Sequence, residues 1–248
     1  MKTIYILWIR QLKRYIRSRS RVVGSLGKPL LFLVALGFGF GPIYSRAGGG
    51  NYIAFIAPGV IGMGIIFTAI FGGIELIWDR QFGFLTETLV APVPRAGIIM
   101  GRTLGGATVA CIQGILVFLL TLVAGFRPVS VGGFFGAVVF MFLIALLFTA
   151  LGTAIASRME DMTAFPVIIN FVIMPLFFLS GSLFPLQGLP AGILWVAKFN
   201  PLTYGIDGIR GTLTGAYHFG FASDMLILVI GGAALLAVGT YLFSKIEI

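Results

Sequence analysis

Six separate apolar runs, each long enough to cross a bilayer, constrain this chain more than any other feature. They cover residues 22–44, 52–77, 103–126, 133–157, 164–184 and 225–243. A spanning helix needs about 17–25 predominantly apolar residues. Hydrocarbon offers no partner to backbone N–H and C=O groups, so segments of this length must satisfy them internally, as helices do. The chain is 58% hydrophobic and 10% charged, with mean hydropathy +1.06. Soluble domains carry about 25% charged residues, and far fewer would not cover a water-facing surface. The expected fold is therefore an all-α membrane protein with six transmembrane helices, a single transmembrane domain over 1–248 without a separate soluble domain. Glycines cluster inside the runs (Gly37, Gly39, Gly41; Gly59, Gly62, Gly64; Gly72, Gly73; Gly105, Gly106), where small residues let helices approach closely.

Charge is unevenly spread. Eight of the 17 Lys/Arg are Lys2, Arg10, Lys13, Arg14, Arg17, Arg19, Arg21 and Lys28. At about 100° per residue, Ile4, Tyr5, Trp8, Ile9, Leu12, Tyr15 and Ile16 fall on one side of a helix and most of the basic residues on the other. Residues 1–21 thus read as an amphipathic interfacial helix on an anionic leaflet. A basic start also suits nucleic acid, but the apolar run that follows assigns it to membrane lipid. The start is too charged for the apolar core of a cleavable signal peptide. With the N-terminus inside, Arg80, Arg95, Arg102, Arg158 and Lys245 join the first eight on the cytoplasmic side, against Arg46, Arg127, Lys198 and Arg210 outside. That asymmetry predicts a multi-pass protein of the cell (inner or plasma) membrane with both termini cytoplasmic.

Two connecting segments are more than linkers. Residues 78–95 read WDRQFGFLTETLVAPVPR. Phe82, Leu85 and Leu89 share one stripe, and Pro92 and Pro94 end the helix. A short cytoplasmic helix between spans 2 and 3 is expected, packed under the bundle or presented to a partner. Residues 184–222 are apolar for an outer loop, but Pro185, Pro190 and Pro201 cut them into pieces too short to span. Backbone of this kind must be buried in protein or line a cavity, which predicts a re-entrant or outer helix pair between spans 5 and 6.

Recognisable catalytic chemistry is absent from the sequence. His218 is the single histidine and Cys111 the single cysteine; neither builds a metal site or a nucleophile triad alone. The stretch GSLGK at 24–28 has the wrong spacing for a phosphate-binding loop, and Pro29 stands where Ser or Thr is needed. Of eight acids only Glu75 lies in a span, near its cytoplasmic end. Carriers driven by ion gradients commonly need ionisable groups near the midplane. Gln113 and Asn170 are the clearest midspan polar residues and are expected to make interhelical hydrogen bonds. These features weigh against a stand-alone secondary carrier or channel, which remains the alternative of another class, beside a non-transporting scaffold.

Three stretches resemble one family. The loop RQFGFLTETLVAPVPR (80–95) looks like a Gly-x-Leu-Glu-x-Leu-like segment closed by Pro-Val-x-Arg. FLSGSLFPLQGLP (178–190) resembles the end of a fifth span, and NPLTYGIDGIRG (200–211) the outer segment before a sixth. Together with the basic start, their order and spacing resemble the ABC-2-type exporter permeases, the membrane subunits that move drugs, lipids and polysaccharides. Gln81 departs from the pattern, which often has an acid directly after the arginine; here Asp79 precedes Arg80. The resemblance implies a non-enzymatic translocation subunit with no cofactor of its own. ATP and Mg would reside on a partner, an ATP-binding cassette subunit in two copies. The permease would pair with itself as a homodimer or with a homologous permease. Arg80, Gly83, Leu85, Glu87 and Leu89 would form the coupling helix that docks that subunit. Asn170, Pro175 and Phe178 would line the substrate path near the second and fifth spans, with Pro166 and Pro175 permitting bending. The implied cargo is an amphipathic compound such as a drug or lipid, with a lipid-linked polysaccharide as the alternative.

Overall fold

The computed structural model describes residues 2–46, 48, 50–84, 93–159 and 161–245. Those residues form helices and connecting turns, without a β-strand among them. In chain order the helices are α1 (Lys2–Arg17), α2 (Arg19–Arg46), α3 (Tyr52–Phe71), α4 (Ile74–Gln81), α5 (Arg95–Val123), α6 (Val131–Ala156), α7 (Ala164–Phe178), α8 (Ala191–Phe199), α9 (Pro201–Thr214) and α10 (Phe221–Ser244). Five stretches are long and apolar enough to cross a membrane: α2, α3 continued through α4, α5, α6 and α10. The run at 164–184 yields the 15-residue α7, followed by turns. At 1.5 Å per residue, α7 alone falls short of a bilayer core of about 30 Å.

Local chemistry explains several boundaries. Asn51 caps α3, its side chain accepting from the Ile53 and Ala54 N–H groups at 3.0 and 3.4 Å. Ser130 caps α6 through the Gly133 N–H at 3.0 Å. Asn200 caps α9 through the Leu202 N–H at 3.0 Å, with Pro201 in the first helical position; both residues suit a helix start. Pro166 lies in the first turn of α7, where its missing N–H removes no helical hydrogen bond. Only Pro175 interrupts that helix further along.

Helix α3 is the centre of the bundle. It packs against α2, α5, α6, α7 and α9, and residues 56–66 are buried without a break. At Gly72–Gly73 the helix tightens, with Gly73 and Leu76 each bonding a carbonyl three residues back at 2.9 Å. A Cβ on Gly73 would collide with the backbone of Gly152 in α6. The two glycines therefore allow both the close crossing and the change of helical path into α4.

The expected N-terminal and outer elements are present. Residues of α1 follow α5 in the same direction: Ile4 beside Gly101, Trp8 Nε1 donating to Thr108 Oγ1 at 3.0 Å, and Tyr15 Oη donating to Gln113 at 2.7 Å. A Cβ on Gly105 would stand 2.8 Å from the Gln11 side chain. This helix is thus more closely docked than one resting on lipid alone. Tyr5 and Ile16, assigned to its apolar face, stay exposed. At the other end, α8 and α9 form the outer helix pair, and α9 is packed between α3, α6 and α10.

Candidate functional site

Helix α4 carries two acids one turn apart, Glu75 and Asp79, with only 5% and 2% of their surface exposed. Residues at i and i+4 share a helix face, and that face meets four arginines from three other elements. From α1, Arg10 reaches Asp79 at 3.3 Å and Arg14 reaches Glu75 at 3.3 Å. From the start of α2, Arg21 reaches Glu75 at 2.6 Å. From α5, Arg102 pairs with Asp79; it is itself only 6% exposed. Carboxylates buried this far need compensation by charge and hydrogen bonds, and here arginine supplies both. Arg102 belonged to the loop in the sequence reading; α5 starts at Arg95, so Arg102 lies inside the helix.

The consequence is mechanical. Helix α4 is the segment immediately before the candidate docking loop, and its acids fasten it to α1, α2 and α5 together. The Gly72–Gly73 tightening lies one turn away on its other side. A displacement of the loop would be carried by α4 as a short lever, with the arginines passing it to the N-terminal helix. Tyr15 continues the same line inward: Gln113 accepts hydrogen bonds from Tyr15 Oη and, at 2.9 Å, from Ser25 Oγ. Burial holds the Tyr15 phenol above its ordinary range, so it remains a neutral donor.

The expected site residues divide into groups. Arg80 lies in the last turn of α4, half-buried and engaged with other groups. Gly83 follows with φ +77°, a left-handed conformation that glycine adopts without strain. Phe82 and Phe84 beside it are exposed. Leu85, Glu87 and Leu89 lie outside the described residues. In α7, Phe165, Ile169, Ile173 and Phe177 form the buried stripe. Pro175 and Phe178 are exposed on the outward side and Asn170 is half-buried. Gln113 makes the expected interhelical bonds. Asn170 does not: its amide donates to the Pro166 carbonyl of its own helix at 2.8 Å.

A second pair of acids was visible in the sequence only as outer-segment residues. Asp207 of α9 and Asp224 of α10 are 2% and 0% exposed. Asp207 accepts from the His218 N–H at 2.8 Å and the Phe219 N–H at 2.8 Å. Asp224 faces Asp207, and neither of its oxygens accepts a hydrogen bond from a donor group. Nothing in their spacing along the chain announced this meeting; it requires the outer helix pair to fold back on α10.

Comparison with known proteins matches this architecture to one family. Residues 2–214 fit the family model described as ABC-2 type transporter. The chain is 30% identical over 213 residues to Nodulation protein J of Rhizobium leguminosarum bv. trifolii, covering 85% of this chain and 78% of that protein. It is 29% identical to the Inner membrane transport permease YadH of Escherichia coli (strain K12), over 90% of this chain and 88% of that one. It is also 29% identical to the Putative transport permease ycf38 of Porphyra purpurea, over 78% and 68%. A multi-pass helical bundle, matched along most of its length to transport permeases, belongs to the ABC-2 type transporter family and is a transport permease subunit.

Proposed function

We propose that this chain is the translocation half of an ATP-driven exporter. It would move an amphipathic compound, a drug, lipid or similar lipophile, out of the cytoplasm or the inner leaflet. The observation that carries this reading is the Glu75–Asp79 helix, clamped by Arg10, Arg14, Arg21 and Arg102 and leading directly into residues 82–94. In the proposed cycle two ATP-binding cassette subunits, holding ATP and Mg, dock on Arg80, Gly83, Leu85, Glu87 and Leu89. Their closure pushes α4, and α1 and α5 move with it. Two permeases, identical or homologous, enclose the path, with Asn170, Pro175 and Phe178 beside it. The outward apolar faces of α2 and α7 give such pairing a surface. The name of the Escherichia coli relative supports placement in the inner membrane, and the charge asymmetry supports cytoplasmic termini. A lipid-linked polysaccharide remains the alternative cargo.

The test is co-purification with a candidate ATP-binding subunit and measurement of ATP hydrolysis in lipid vesicles. Leu85→Asp and Glu87→Ala are expected to abolish complex formation or to cut stimulation at least about tenfold, the loss of one well-made polar or apolar anchor. Intact binding and stimulation in both variants would sink the docking assignment. One observation favours the stand-alone carrier instead, the buried acids Asp207 and Asp224. Transport driven by a proton gradient without any ATPase, and lost in Asp224→Asn, would replace the exporter reading.

A further inference from the structure

Behind α1 lies a cavity of about 410 Å³, bordered by α1, α2, α3, α4, α5 and α6. Its walls are apolar where α3 contributes Met63, Phe67 and Phe71. Its charged lining is unbalanced: Arg21, Lys28 and Arg102 face a single acid, Glu75. Glu75 is already held by Arg14 and Arg21, and Arg102 by Asp79. Lys28 is the cation left over. Its ammonium rests 3.8 Å above the Phe67 ring, and among the described residues no carboxylate pairs with it. Lys28 is the single charge of α2 between Arg21 and Arg46, and a cation in such a stretch is costly unless it meets the membrane boundary or an anion.

The surface beside the cavity continues the pattern. Leu31, Val34 and Phe38, about a quarter-turn round the helix from Lys28, are exposed on α2 just beyond it. An apolar track that starts at a cation and a mixed cavity matches a molecule with an anionic head and hydrocarbon tails. None of Asn170, Pro175 or Phe178 borders this space, so it is separate from the proposed substrate path.

We propose that this cavity binds the headgroup of an anionic phospholipid from the cytoplasmic leaflet. Its phosphate would sit between Lys28 and Arg21, and its acyl chains would run along Leu31, Val34 and Phe38. The bound lipid would brace Gly72 and Glu75, which border the same cavity, and so stiffen the lever before the docking loop.

The test is lipid retention by the full-length permease, which needs no ATPase and no transport. Protein would be exchanged into nanodiscs of phosphatidylcholine with one-fifth phosphatidylglycerol, extracted gently, and weighed by native mass spectrometry. The wild type should keep one phosphatidylglycerol per chain. Lys28→Gln should lower that retention about tenfold, the effect of losing one charge-assisted contact. Thr149→Phe, which fills the cavity floor, should lower it without removing a charge; Lys28→Gln carries the test if that variant does not fold. Equal retention in wild type and Lys28→Gln would overturn the site. So would equal retention of phosphatidylcholine. Full displacement by millimolar inorganic phosphate would overturn the lipid assignment in favour of a free phosphate ligand.

Discussion

The protein buries two pairs of carboxylates and treats them in opposite ways. At the end expected to face the cytoplasm, Glu75 and Asp79 meet Arg10, Arg14, Arg21 and Arg102, so every negative charge faces positive ones from another helix. At the outer end, Asp207 is held by two backbone N–H groups and Asp224 by none, and the two acids face each other. Two carboxyls that face each other in one buried site repel when both carry charge. The inner pair therefore works as a charged joint between elements that are separate in sequence. The outer pair works as a hydrogen-bonded cap. A joint of ion pairs suits parts that move relative to one another, and a backbone-bonded cap suits parts that stay together.

The largest effect should come from breaking the joint at its most buried point. Asp79→Ala leaves Arg102 inside α5 without its counter-charge, an unpaired buried cation that costs about 3–5 kcal/mol. Glu75→Gln leaves Arg14 and Arg21, whose side chains are 36% and 41% exposed and can turn to water. Its cost should be about 1 kcal/mol or less. Thermal unfolding midpoints of the purified variants in one detergent measure the difference. Equal losses would show that α4 is held by packing and that the arginines are decoration.

How much of this contrast was legible beforehand depends on whether a feature is local. The apolar runs and the broken outer segment follow from residues adjacent in the chain, and the structure has helices at each. Close helix approach at Gly72–Gly73 follows from the glycine clusters, and Gly152 is the neighbour it meets; the tightening into α4 was hidden because hydrophobicity continues straight through it. Arg102 read as a loop cation because the apolar run begins after it, whereas α5 starts a turn and more earlier at Arg95. In the sequence Asp207 and Asp224 are simply two of the acids outside the apolar runs, since burial by a returning helix pair is a tertiary event. The coupling stripe was the most explicit functional expectation, and its Leu85, Glu87 and Leu89 lie outside the described residues.

A middle-sized effect is expected at the cap. Asp207→Ala strands the His218 and Phe219 N–H groups, which are bonded to no other acceptor. Losing part-buried hydrogen bonds of this kind costs about 0.5–1.5 kcal/mol each. Asp207→Asn keeps an acceptor oxygen and should recover part of that loss. Limited proteolysis of the segment between α9 and α10 measures it directly, with faster cleavage expected in the alanine variant. Unchanged cleavage in Asp207→Ala would mean that α9 holds its place by its apolar contacts with α3 and α6 alone.

The smallest effect should come from Asp224→Asn, and its sign is the sharpest part of the comparison. This substitution removes a carboxyl that has no donor of its own and places an amide donor beside the Asp207 oxygens. The facing carboxyl disappears, and Asp207 gains a donor. The unfolding midpoint should stay level or rise, whereas neutralising Asp79 must lower it. Asp79 is one half of an attraction, whereas Asp224 faces a second carboxyl and has no donor of its own. A fall for Asp224→Asn as large as that for Asp79→Ala would show that Asp224 is held by opposite charge. Both ends of the bundle would then use the same device, and the outer cap would have to be treated as a second moving joint.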